Sequence, residues 1–123
     1  MDFGGTNRKT IYILLTYTGS LLSKMIKMYT KYDYTHVSLG LDIDLTELYS
    51  FGRLIPSNPI VAGFVKEDIR NGTYAYFSNT ECCLYSIDID MEQYNRLIEC
   101  IHSFSLEKDK YSYNLIGFLG III

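Results

Sequence analysis

The sequence predicts an α+β fold in which helices pack on an antiparallel sheet. Three observations lead there. Apolar runs of strand length and apolar stripes of helical period follow one another in the order β-α-β-β-loop-β-β-α-α. The βαβ spacing of a dinucleotide-binding fold is absent, and two of the strands meet at Asp42-Ile43-Asp44, a hairpin turn. The 123 residues, 48% of them hydrophobic, suffice for one core of ordinary size, so 1–123 reads as a single domain.

Each element has a local reason. Residues 10–18 (TIYILLTYT) are a β-rich apolar run and read as a buried strand ended by Gly19-Ser20. Ser20 caps a helix over 21–30, whose apolar Leu21, Leu22, Met25, Ile26, Met28 and Tyr29 stand against polar Ser23, Lys24, Lys27 and Thr30. Residues 34–41 and 45–51 are the hairpin strands. The stretch 52–63 carries Pro56 and Pro59 and reads as a loop, 64–69 as one helical turn, Asn71-Gly72 as a turn and 73–79 as a short edge strand. Residues 81–88 alternate, with Cys83, Tyr85 and Ile87 on one side and Cys82, Leu84, Ser86 and Asp88 on the other. Asp90 opens a helix, Gln93 completes a capping box, and Tyr94, Leu97, Ile98, Ile101 and Phe104 form its apolar stripe. After a polar break at 107–110, residues 111–122 form a second, mostly apolar helix in which Gly117 and Gly120 let another backbone approach closely.

Composition narrows the function. A net charge of −3 and abundant aromatic and β-branched residues exclude intrinsic disorder, and a pI near 5.2 argues against a nucleic-acid partner. No run reaches the length of a membrane span, so no membrane contact is expected. The N-terminus MDFGGTNRKT has no apolar signal region, and Cys82, Cys83 and Cys100 show no metal-ligand spacing. A cytoplasmic location with reduced thiols and no cofactor is the expectation. The apolar end 115–123 (LIGFLGIII) needs cover, from the sheet, a protein partner or self-association.

His36 is the sharpest chemical feature. Strand alternation sets Val37, Leu39 and Leu41 on one face, read as the core face, and His36, Ser38 and Gly40 on the other. A catalytic imidazole needs a neighbour to fix its tautomer, and the next strand offers Glu47, Tyr49 and Ser50. A two-residue turn pairs position 36 with 51 and puts Glu47 and Tyr49 on its face, with Glu47 roughly 13 Å away at ~3.3 Å per residue. A three-residue loop puts Ser50 opposite, and all three stay candidates. His102 lies beside an apolar helix stripe and reads as structural. Asp42, Asp44, Asp88 and Asp90 read as turn and cap residues, and Arg8, Lys24, Lys27 and Lys31 as a solvated basic strip. None of the cysteines sits at a helix N-terminus or in a basic surround, the settings that activate a thiol.

Thr18-Gly19-Ser20 at a helix start, then Tyr34-Thr35-His36-Val37-Ser38, Leu48-Tyr49-Ser50-Phe51-Gly52-Arg53 and Gly63-Phe64-Val65, with the strand and helix over 83–94, resemble the circularly permuted papain-like proteins. These are the permuted NlpC-type cysteine peptidases and amidases, related to lecithin:retinol acyltransferase. The resemblance implies that His36 is the general base, oriented by Glu47, Tyr49 or Ser50, and that a nucleophilic cysteine follows on a C-terminal helix. No Cys-Ser follows Tyr113, so the expectation is a degenerate or truncated thiol hydrolase or acyltransferase fold, a fragment or a natural short form, inactive as given. The alternative is a non-enzymatic protein-binding or inhibitor protein, of phage or mobile-element type, that reuses the scaffold.

Overall fold

A computed structural model describes residues 7–55 and 57–107. Five strands and three helices follow in the order β1 (Arg8–Tyr17), α1 (Leu21–Thr30), β2 (His36–Gly40), β3 (Leu48–Ile55), β4 (Asn58–Lys66), α2 (Thr73–Tyr76), β5 (Glu81–Asp90) and α3 (Met91–Leu106). The strands form one antiparallel sheet of order β4-β3-β2-β1-β5. The expected α+β architecture is therefore present. The expected helix over 111–122, and the apolar end 115–123 with it, lie outside the described residues.

The helix starts follow from local chemistry. The Ser20 side chain accepts the Ser23 backbone N–H, and Lys31 closes α1 in the left-handed region at φ 61°. Asp90 and Gln93 form a reciprocal capping box that opens α3. Between β2 and β3 the Asp42 carboxylate gathers the backbone N–H groups of Thr46 (3.2 Å) and Glu47 (2.9 Å), which turns the chain.

The middle of the chain departs from expectation. The stretch 52–63 is not a loop: β3 runs to Ile55 and β4 starts at Asn58, so the two make a tight hairpin. Among the described residues β4 is an edge strand, the place in a sheet where a proline such as Pro59 near the strand's start is tolerated. Phe64 is paired with Phe51 in this hairpin, so 64–66 is strand rather than helical turn. Thr73–Tyr76 is one turn of helix, not an edge strand.

The two faces of the sheet also differ from expectation. Val37, assigned to the core face, is 56% exposed, whereas Ser38 beside it is 1% exposed. The His36 face is buried as well: Leu14, Thr16, Ser38, Leu48 and Ser50 are all buried there, while Ile11 and Phe64 are buried on the opposite face. The hydroxyls of the His36 face tolerate burial where they are hydrogen-bonded. On the opposite face α3 packs through Phe104, whose ring meets Phe51 at 5.4 Å and Phe64 at 5.5 Å, while Tyr49 stacks on Phe64 at 6.0 Å. No helix among the described residues is long and apolar enough to cross a membrane.

Candidate functional site

Register brings the site together. His36 pairs with Thr16 on β1, and Leu39 and Gly40 pair with Tyr49 and Leu48 on β3. Continued by two residues, that register sets Ser50 across from Ser38, and by four it sets Gly52 across from His36. Glycine is what admits the ring: a Cβ on Gly52 would stand 3.3 Å from His36 Cε1 and 3.6 Å from Nε2. One strand further, Ser50 pairs with Val65 and Gly52 with Gly63. Glu67 lies two residues beyond Val65, and its backbone N–H bonds the Leu48 carbonyl at 2.7 Å. The chain is thus still held against β3 when it delivers the Glu67 side chain to the His36 face.

Glu67 is the hub. Its Oε1 lies 2.8 Å from His36 Nε2 and accepts the Ser50 hydroxyl, while Nε2 and Ser50 Oγ stand 3.1 Å apart. Its Oε2 accepts Ser38 Oγ at 2.8 Å and the Tyr74 hydroxyl at 2.6 Å. The carboxylate side chain is 11% exposed and the imidazole 29%. Burial alone would push the Glu67 carboxyl up. The bond and charge of His36, with the hydroxyls of Ser50 and Tyr74, outweigh it and hold the carboxyl below its ordinary value. Burial first, and then the Glu67 charge, push the Tyr74 phenol up, so it remains a donor.

An ionised carboxylate only accepts hydrogen bonds, so Nε2 carries a proton toward Oε1. In the neutral ring Nδ1 then holds the lone pair. The ring, Glu67 and Tyr74 line a cavity of about 340 Å³ that also touches Ser20, Ser23 and Arg53 around the start of α1. A serine-hydrolase arrangement does not fit. Ser50 and Glu67 share the same ring nitrogen, whereas a Ser-His-acid triad needs them on opposite ones, and the Ser50 proton goes to Glu67.

The sequence candidates divide. Ser50 stands beside the ring, though by neither of the registers expected: Gly52, not Phe51 or Ser50, lies across from His36, and Ser50 reaches the ring from the position across from Ser38. Glu47 and Tyr49 do not reach it, because the alternation that turns Ser50 to His36 turns Tyr49 to the Phe64 face. There Tyr49 donates to Glu47, which also takes Lys66 Nζ at 3.1 Å. The Tyr49 bond first, then Lys66, hold the Glu47 carboxyl low, and burial followed by Glu47 pushes the Tyr49 phenol up to about 12. Cys82 shares the His36 face but sits two strands away, across Thr16, roughly 10 Å from it at ~4.8 Å per strand. Cys83 points to the other face, and Cys100 is exposed on α3; none of the three is bridged. Among the described residues no group of His, Cys, Asp and Glu is arranged to hold a metal ion.

Sequence reasoning missed Glu67 and Tyr74. The alternation Gly63, Val65, Glu67 could have shown the first, had 64–69 been read as strand. Compared with family models, curated proteins and solved structures, the chain matches none.

Proposed function

We propose that this chain is a permuted papain-like scaffold of the thiol hydrolase or acyltransferase kind, in which His36 and Glu67 are the general-base pair. The observation that carries the reading is the 2.8 Å contact between His36 Nε2 and the buried Glu67 carboxylate. That pairing fixes a tautomer whose Nδ1 can take a proton from a thiol at the cavity. The thiolate then attacks a carbonyl carbon, and the imidazolium returns the proton to the leaving group. The sequence has three cysteines, and none stands at the ring. The chain therefore supplies the base without its nucleophile, and its own turnover on esters, amides and peptides is at background.

An external thiol tests this. In thiolysis of a nitrophenyl ester by a small thiol, the proton passes from sulfur to Nδ1, the thioester forms and nitrophenolate leaves. The protein accelerates that reaction, and His36→Gln and Glu67→Gln abolish the acceleration. Equal rates for wild type and His36→Gln refute the reading.

One observation favours a second reading, a non-enzymatic protein binder. Among the described residues β5 pairs only with β1 and leaves Leu84, Tyr85 and Ile87 exposed at the sheet edge, a surface suited to strand addition. Background thiolysis together with partner binding that Tyr85→Lys abolishes would put this reading ahead.

A further inference from the structure

Glu67 and Tyr74 are close in sequence, and the chain between them reverses so that the phenol returns to the carboxylate. Asp68 builds the reversal. Its carboxylate accepts the backbone N–H groups of Arg70 (2.9 Å) and Asn71 (3.2 Å), and its carbonyl accepts that of Gly72 (2.9 Å). Gly72 is required at the tightest point, because a Cβ there would lie 2.6 Å from the Asp68 carbonyl oxygen. α2 begins at the next residue, and Tyr74 on it reaches Glu67 Oε2 at 2.6 Å. Ser38 reaches the same oxygen from β2 at 2.8 Å. The two carboxylate oxygens therefore have separate partners: Oε2 takes Tyr74 and Ser38, and Oε1 takes His36 and Ser50.

We infer that Tyr74 is a positioning residue: with Ser38 it locks Glu67 Oε2, so that Oε1 is the oxygen that fixes Nε2–H of His36. The role rests on the general-base reading of His36 and names what holds that base in place. The physical reason is that a carboxyl group turns about its last bond unless both oxygens are held, and a buried carboxylate keeps its charge only with enough donors around it. Three donors, His36, Ser38 and Ser50, come from β2 and β3, which are paired into the sheet. Tyr74 comes from a different element, so the base is complete only when 68–77 is folded back over the sheet.

The test is the Glu67 carboxyl titration, read by 13C NMR on the full chain, with two substitutions that push in opposite directions. Tyr74→Phe keeps the ring and removes the donor; the Glu67 midpoint rises by about one pH unit, a tenfold gain in proton affinity. Replacing Tyr74 with 3-fluorotyrosine makes the phenol a stronger donor, and the midpoint falls. A midpoint unmoved in both proteins overturns the inference and leaves Tyr74 as a space-filling ring. If Tyr74→Phe does not fold, the fluorinated protein decides alone. The thiolysis assay separates this from the reading beneath it. A midpoint that moves while thiolysis ignores His36 refutes the base and keeps the positioning role. His36-dependent thiolysis with an unmoved midpoint does the reverse.

Discussion

Replacing Glu67 by glutamine removes one charge and almost no volume, so it isolates the electrostatics of the site. Four donors converge on this carboxylate, from His36, Ser50, Ser38 and Tyr74. In Glu67→Gln the amide oxygen can still serve one pair. The amide NH2 faces the other, and hydroxyls there must rotate to accept from it. A hydrogen bond to a charged group contributes about 1.5–3 kcal/mol and a neutral one about 1 kcal/mol, so weakening several of them would cost several kcal/mol in isolation. Burying the charge has its own cost, which the substitution returns. The net loss at pH 7 comes to about 1–2 kcal/mol, or a melting temperature lower by roughly 5–10 °C for a domain of this size. The sign of the pH dependence is fixed by the carboxyl, which is held below its ordinary value in the folded chain. On acidification the unfolded chain takes up the proton first, near the unfolded value of about 4.3, so this stability is complete above that pH and is lost as pH falls through the folded value. Thermal unfolding of wild type and Glu67→Gln from pH 7 down to acid reads both effects. A variant as stable as wild type at pH 7, or a stability gap that stays constant into acid, refutes the reasoning.

Three other perturbations probe the frame around the site. Gly52→Ala places a methyl 3.3 Å from His36 Cε1 and 3.4 Å from Ser50 Oγ; it displaces the ring at a cost of about 1 kcal/mol, and a shift of the His36 ring signals with the rest of the NMR spectrum intact checks it. Phe104→Ala removes the ring that joins α3 to Phe51 and Phe64; urea unfolding should show a loss of about 2 kcal/mol, below the value for a fully buried phenylalanine because Phe104 is only half-buried. Tyr49→Phe removes the leading cause of the low Glu47 carboxyl, so the Glu47 13C titration moves upward while that of Glu67, on the opposite face, stays in place.

Local chemistry made much of the fold legible. Ser20 announced α1 and the Asp90–Gln93 box announced α3 because a cap is written within a few residues. The alternation of Cys83, Tyr85 and Ile87 marked β5 for the same reason. His36 stood out because the strand period set it apart from its apolar neighbours. Its partner did not, since Glu67 is 31 residues away and meets it only through the β3–β4 register. The two prolines read as loop signals, although an edge strand accommodates Pro59. Ser50 and Tyr49 illustrate the other gap. They are adjacent in sequence, yet the turn between β2 and β3 decides which of them faces the imidazole, and the Asp42 network sets that turn. The burial of the His36 face was misread because hydroxyls such as those of Ser38 and Ser50 look polar in sequence, while hydrogen bonds to Glu67 let them sit in the interior.

The central claim is that Glu67 fixes the imidazole of His36 with the proton on Nε2, and a long-range 1H–15N spectrum of the labelled chain at neutral pH reads that directly. The expected result is a protonated Nε2 whose hydrogen resonates far downfield, exchanges slowly with water and loses both properties in Glu67→Gln. A neutral ring with its proton on Nδ1 and a bare Nε2, or a ring signal indifferent to Glu67→Gln, would contradict it.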